Sequence, residues 1–140
     1  MSRYLLPFPI ALALAAPAFD MPPGTSPAGT WTNPRHSVTL RIAACGGGAW
    51  CGRVTAASAK AKADALAGSG QPLMGTMLMR DFRADGDGGW RGTLIIPDIR
   101  QTAEATMRLS GRRAIEVTGC GMSGLVCKTQ IWTRVAGKPR

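Results

Sequence analysis

The sequence predicts an all-β fold, an antiparallel up-and-down eight-stranded barrel with one short helix. The chain has 140 residues with 18 Gly and 10 Pro, a composition that favours one turn-rich domain over long helices. Short stretches of alternating apolar and polar residues recur at the spacing of hairpins. Because unpaired first and last strands would expose aggregation-prone backbone, we expect them to pair and close the sheet. An eight-stranded barrel is just wide enough to be filled by side chains or to hold one small ligand.

The N-terminal 18 residues predict a secretory signal peptide. Arg3 provides a positive start, residues 5–16 are apolar, and Ala16-Pro17-Ala18 is a small-x-small cleavage site. The apolar run is too short to span about 30 Å of hydrocarbon as a helix. A buried N-terminal helix is the alternative, and the prolines in this segment argue against it.

Export would leave a Pro-rich flexible linker over residues 19–27 and a barrel domain over residues 28–136. Without Arg3 the chain keeps 16 basic and 8 acidic residues, a net charge of +8. No second long apolar run follows, so we expect a mature protein without a transmembrane segment, in the bacterial periplasm or secreted.

The four cysteines are expected to form disulfides, since the predicted compartment is oxidising. Four cysteines allow three pairings, and we favour the local bridges Cys45 to Cys51 and Cys120 to Cys127 because each pair brackets a Gly-rich turn. A zinc site is the alternative, but both spacings exceed the two to four residues typical of paired zinc cysteines. We predict no metal and no cofactor.

The first three strands and the helix follow from local patterns. A strand begins at 29–32, alternation marks 37–44, and residues 50–56 pair back through the turn of three glycines. Residues 57–67 are rich in Ala and Lys, so they favour a helix, with Ser58 as its cap and the glycines at 68–70 as its end. The remaining strands are predicted over residues 73–82, 90–96 and 102–109, around Ile115 and Val117, and over 126–135.

An ordered set of motifs resembles a known bacterial family. The motifs are Gly29-x-Trp31-x-x-Pro34, Cys45-Gly46, Cys51-Gly52-x-Val54, Asp85-Gly86-Asp87-Gly88-x-Trp90-x-Gly92 and Lys128-Thr129-Gln130-x-Trp132-x-Arg134-Val135. Together they resemble domain of unknown function two-one-four-seven over nearly the whole mature chain. The resemblance implies a small, exported, lipocalin-like barrel with no established activity.

Lipocalin-like barrels often stack an arginine of the last strand on a tryptophan of the first, which implies a contact between Arg134 and Trp31. The alternative is a core tryptophan and a solvated arginine. Gln130, Trp132 and Arg134 share one face of the last strand, opposite Ile131. If that face points inward, the interior is partly polar. We therefore predict Trp31, Gln130, Trp132 and Arg134 as ligand-binding residues.

Catalytic patterns are weak, and we predict no catalytic residue. His36 is the only histidine. The segment 121–124 is not the G-x-S-x-G of a nucleophile elbow. Asp85 and Asp87 suit a turn better than a calcium loop, which needs more ligands.

The basic charge would attract polyanions, but the cations are scattered and aromatic residues for stacking on bases are few. No nucleic-acid partner is expected, whereas an anionic envelope component is possible. The leading hypothesis is a non-catalytic barrel that binds a small amphiphilic or hydrophobic ligand. The alternative is a structural or interaction protein that docks by its basic surface on envelope polyanions.

Overall fold

A computed structural model describes residues 26–121, 124 and 126–136. The predicted signal peptide, its cleavage site and residues 19–25 of the predicted linker lie outside this part of the chain. The strands are β1 (Gly29–Thr32), β2 (Val38–Ala44), β3 (Trp50–Ala57), β4 (Met77–Ala84), β5 (Trp90–Ile96), β6 (Gln101–Ser110), β7 (Ala114–Gly121) and β8 (Val126–Arg134). Helix α1 (Ala59–Ser69) joins β3 to β4, and a 3-10 turn, Pro97–Ile99, joins β5 to β6.

The eight strands form a closed barrel in sequence order. Each strand pairs antiparallel with the next, and the barrel closes where β1 pairs with β8, with Trp31 opposite Arg134 and Thr32 opposite Thr133. The predicted all-β, up-and-down, eight-stranded barrel with one short helix is therefore confirmed.

Helix α1 begins at Ala59, directly after Ser58, so the prediction of Ser58 as its cap is confirmed. The Ser58 hydroxyl accepts a hydrogen bond from the Ala61 amide at 3.1 Å, which satisfies one of the unpaired donors of the first turn. At the other end Gly70 takes a left-handed conformation, φ 72°, and its amide donates to the Leu66 carbonyl. This is the usual glycine end of a helix.

Strand β4 begins at Met77, four residues later than the predicted strand 73–82. Leu73 and Thr76 close a turn instead, in which the Thr76 amide donates to the Leu73 carbonyl at 3.0 Å and Gly75 adopts φ 79°. Leu73 remains buried, at 5% exposure. Its apolar side chain belongs to the core although its backbone is not in the sheet.

On β5, β6 and β7 the inward-facing side chains become smaller from one row of cross-strand partners to the next. One row of cross-strand partners runs Trp90, Met107, Val117 and Gln130. The next row towards α1 runs Gly92, Ala105, Gly119 and Lys128. On β5, β6 and β7 the second row is therefore smaller than the first, and the large side chains of Phe82 and Leu94 pack against its glycines.

The two ends of the barrel differ, and we name them for what they carry. The Trp31 end holds the start of β1, the end of β8 and the β2–β3, β4–β5 and β6–β7 turns. The helix end holds α1, the 3-10 turn and the β7–β8 connection. Helix α1 packs on the 3-10 turn so closely at Gly68 that a side chain there would collide with the backbone of Asp98.

Both predicted disulfides form. Cys45 and Cys51 are joined across the β2–β3 turn with a Cα separation of 5.7 Å. Cys120 and Cys127 are joined between the directly paired positions of β7 and β8, at 4.1 Å. The bridges therefore hold two hairpins in register. Among the helices of the described residues, none has the length and apolar character needed to cross a membrane.

Candidate functional site

Arg134 lies over the indole of Trp31, as the resemblance implied. The guanidinium carbon is 4.2 Å from the ring centroid, a cation–π contact. The same guanidinium donates to the carbonyls of Arg112 at 2.8 Å, Ala28 at 2.7 Å and Ser26 at 3.3 Å. Arg134 thus joins the last strand to the segment before β1 and to the β6–β7 turn.

The segment before β1 is also held by Trp31 itself. The Trp31 indole nitrogen donates to the Pro27 carbonyl at 2.9 Å, and Pro27 is fully buried. Gly29, at φ 140°, leaves room for the arginine, because a Cβ atom there would lie 2.5 Å from the Arg134 Nη1 atom. The Trp31 end is therefore closed by packing and hydrogen bonds, and Pro27, the last residue of the predicted linker, is part of that closure.

Gln130 and Trp132 point to the interior of the barrel. Trp132 is 7% exposed, Gln130 is half-buried, and Ile131 between them is 55% exposed on the outer face. The Trp132 indole nitrogen donates to the Gln130 side-chain oxygen at 3.3 Å. The interior is thus partly polar along β8. The four predicted site residues fall into two pairs, Trp31 with Arg134 and Gln130 with Trp132.

A cavity of about 300 Å³ lies at the helix end, between the α1–β4 connection and the β5–β6 hairpin. Ile95, Ile96 and Pro97 form an apolar wall, and Arg100 and Gln101 provide polar groups. Arg100 is fixed there because its Nε donates to the Gly68 carbonyl at the end of α1. The arrangement places one cation and several polar groups beside an apolar surface, which can receive an amphiphilic molecule.

A second cavity, of about 430 Å³, lies where β6 and β7 separate at the same end. It is lined by inward-facing Ala103 and Gly121 together with outward-facing Thr93, Glu104 and Cys120. Neither cavity is lined by the four predicted residues. Sequence reasoning missed these linings, because they come from connections and strand ends that carry no motif.

Asp85 organises the β4–β5 turn. One of its carboxylate oxygens accepts from the amides of Asp87 at 2.8 Å and Gly89 at 3.1 Å, and Arg108 lies 3.7 Å from the other oxygen. The hydrogen bond from the Asp87 amide is the main reason why the pKa of Asp85 is lowered, with smaller contributions from Gly89 and Arg108. The carboxylate is thus engaged by the turn itself.

Among the described residues, Cys45, Cys51 and Asp81 lie close enough together to be considered as metal ligands. Both sulfurs belong to a disulfide, so they are not available as the thiolates that bind metals. His36, the only histidine, is exposed in the β1–β2 turn.

Comparison with known proteins agrees with this architecture. The bacterial family described as "Uncharacterized protein conserved in bacteria (DUF2147)" matches residues 29–134. Among solved structures the chain is similar to protein HP1028 from Helicobacter pylori, which is described as belonging to the lipocalin family. That similarity has a TM-score of 0.61 at 15% identity and covers 79% of this chain and 84% of the other. A search of curated proteins gave no match.

The family match spans the whole barrel, from β1 to the last residue of β8. The chain therefore belongs to the DUF2147 family, and its fold is that of a lipocalin-like barrel.

Proposed function

We propose that this member of the DUF2147 family is a non-catalytic carrier that binds a small amphiphilic ligand at the helix end of its barrel. The observation that carries the proposal is the cavity beside α1, in which an apolar wall of Ile95, Ile96 and Pro97 adjoins the guanidinium of Arg100. Its volume of about 300 Å³ is at the lower end of ligand sites, which hold roughly 300 to 1,000 Å³. A ligand with a short apolar part and an anionic or polar head suits that lining.

The position of the predicted residues along β8 relates them to the two ends of the barrel. The row that contains Gly92, Ala105 and Gly119 lies towards α1. Of the four residues predicted from sequence, Gln130 lies nearest to that row along β8. Gln130 does not line the cavity, so it would touch only a ligand that extends from the cavity into the interior along β8; Trp132, which donates to its side-chain oxygen, would then orient it. Trp31 and Arg134 then close the opposite end.

The proposed setting is outside the cytoplasm, in the periplasm or the medium. Two disulfides fit an oxidising compartment, and the N-terminal segment has the composition of a signal peptide. Export and cleavage after Ala18 can be tested by the mass of the protein recovered from the periplasm of an expressing cell. A full-length chain retained in the cytoplasm would contradict this part of the proposal.

The binding proposal can be tested with 11-(dansylamino)undecanoic acid, a fluorescent anionic amphiphile. Titration of the purified protein should raise and blue-shift the dansyl emission in a saturable way. Gln101→Trp places a large ring in the cavity wall and should abolish this response. Thr133→Trp adds the same ring to an exposed position on β8 and should leave it unchanged. A response that is absent from the parent protein, or that survives Gln101→Trp, would refute the assignment.

A further inference from the structure

Five arginines lie on the outer surface of four neighbouring strands. We call this surface the arginine face; its members are Arg41 on β2, Arg53 on β3, Arg80 and Arg83 on β4, and Arg91 on β5. All five are exposed, and each adjoins a buried residue whose side chain points inward. Neighbouring strands lie only about 4.8 Å apart, so the guanidinium groups share one continuous patch.

Like charges face each other directly within the patch. Arg41 and Arg53 are cross-strand partners, and so are Arg83 and Arg91. Such pairs are unfavourable for a sheet in isolation. Asp81 is the one acidic residue in these four strands. A surface that keeps two such pairs is suited to a partner of opposite charge.

The arginines are not neutralised within the described part of the protein. The ion pairs found there join Lys60 to Asp64 and Arg108 to Asp85, and neither includes a residue of the arginine face. Arg53 and Arg83 donate to the backbone carbonyls of Gly75 and Gly47, respectively. Those bonds orient the guanidinium groups and leave their charge uncompensated.

The other side of the barrel has a different character. The outer face of β6 and β7 carries Glu104, Glu116 and Arg108, and on β7 and β8 the hydroxyls of Thr118 and Thr129 are hydrogen-bonded at 2.9 Å. Strand β8 adds Lys128 and Arg134, so the net positive charge is smaller on β6–β8 than on β2–β5, which carry five arginines against Asp81. A barrel with this asymmetry would orient on a charged surface with one side towards it.

We propose that the arginine face docks the protein on a membrane surface that contains anionic phospholipid. Guanidinium groups bind phosphate through paired hydrogen bonds, and an extended bilayer can meet all five arginines at once. Nucleic acid fits less well, because single strands bind on exposed aromatic rings. Of the aromatic residues in the described part of the chain, Trp31, Phe82, Trp90 and Trp132 are buried and Trp50 is half-buried. The inference is independent of the ligand cavity, which lies at the helix end.

Flotation with lipid vesicles tests the proposal. The parent protein should float with vesicles of phosphatidylcholine mixed with phosphatidylglycerol, should not float with phosphatidylcholine alone, and should be released by high salt. Arg41→Gln with Arg91→Gln removes two members of the face; neither side chain makes a hydrogen bond within the described residues. Each basic side chain near an anionic bilayer contributes a similar amount to the free energy of binding, and two are removed. The double variant should therefore bind about thirty-fold more weakly.

The matched control is Arg112→Gln with Arg113→Gln in the exposed β6–β7 turn, which lowers the net charge by the same amount. It should reduce binding only a few-fold, and circular dichroism should show both variants folded. Equal losses in the two double variants, or no binding of the parent protein to anionic vesicles, would overturn the proposal. Tighter binding to single-stranded DNA than to the vesicles at the same salt would overturn it as well.

Discussion

Arg134 covers Trp31 across the seam where the last strand meets the first. The guanidinium carbon lies 4.2 Å from the indole centroid, and the two residues are direct cross-strand partners. The β1–β8 pairing is short, with two partner pairs, so the side-chain contact strengthens the weakest-paired junction of the barrel. Closure therefore depends on residues that are more than 100 positions apart in the chain.

Arg134→Ala should lower the free energy of unfolding by about 2–4 kcal/mol, because it removes the cation–π contact and the guanidinium hydrogen bonds to backbone carbonyls. Urea denaturation followed by tryptophan fluorescence measures the change. Arg112→Ala is the control, since its exposed side chain should contribute less than about 0.5 kcal/mol. A loss at Arg134 no larger than at Arg112 would show that the seam is held by β-sheet pairing alone.

Gly92→Ala should destabilise the barrel by about 1–3 kcal/mol, as expected for an overpacked interior. A Cβ atom at Gly92 would lie 2.5 Å from the Arg80 carbonyl oxygen and 2.7 Å from the Phe82 ring. Gly119→Ala is the matched variant on β7, where the nearest atom, Leu94 Cδ2, is 3.5 Å away. Thermal denaturation should therefore show a clear loss for Gly92→Ala and little change for Gly119→Ala. The reverse order would mean that the ring of Phe82 is not seated against Gly92.

Stability should fall on acidification through the titration of Asp85. The pKa of this carboxyl is lowered from its usual 3.8, chiefly by the hydrogen bond from the Asp87 amide, so the folded state favours the ionised form. Its contribution is present above pH 3.8 and is lost as the pH falls below that value towards the lowered pKa of the folded state. Asp85→Asn keeps an oxygen acceptor for the turn but cannot titrate.

Urea denaturation of the parent protein and Asp85→Asn at a series of pH values measures this effect. The stability difference between the two proteins should shrink as the pH falls below 3.8. Asp64→Asn, in the exposed Lys60 pair on α1, serves as the control for general acid sensitivity. Parallel pH profiles for the parent protein and Asp85→Asn would contradict the role assigned to the turn.

The fold was predictable because most of its strands show alternating apolar and polar residues in the local sequence. In β2, buried Leu40 and Ile42 alternate with exposed Arg41, and the glycine turn and its disulfide fix the next strand beside it. Local pattern misplaced the start of β4, since Leu73 is apolar but lies in a turn. The local pattern also does not predict the register shift between Arg80 and Arg83. There Asp81 takes φ 52°, and the alternation of inward and outward side chains is interrupted.

The candidate site was only partly predictable for a topological reason. The face of β8 that holds Gln130 and Trp132 follows from alternation, and the structure shows that it points inward. Their role as ligand contacts stays a prediction. The cavity beside α1 unites residues 69–76 with residues 95–102, two connections that become neighbours only when the barrel has closed. No spacing within either segment marks it as part of a pocket.

The bond from Arg134 to the Ser26 carbonyl means that the polypeptide enters and leaves the barrel side by side. A fusion partner or surface tether joined directly before Ser26 or after Ala136, the outermost described residues, would therefore start from the Trp31 end. The helix end would then face solution, so protein immobilised through such a tether should present its cavity unobstructed.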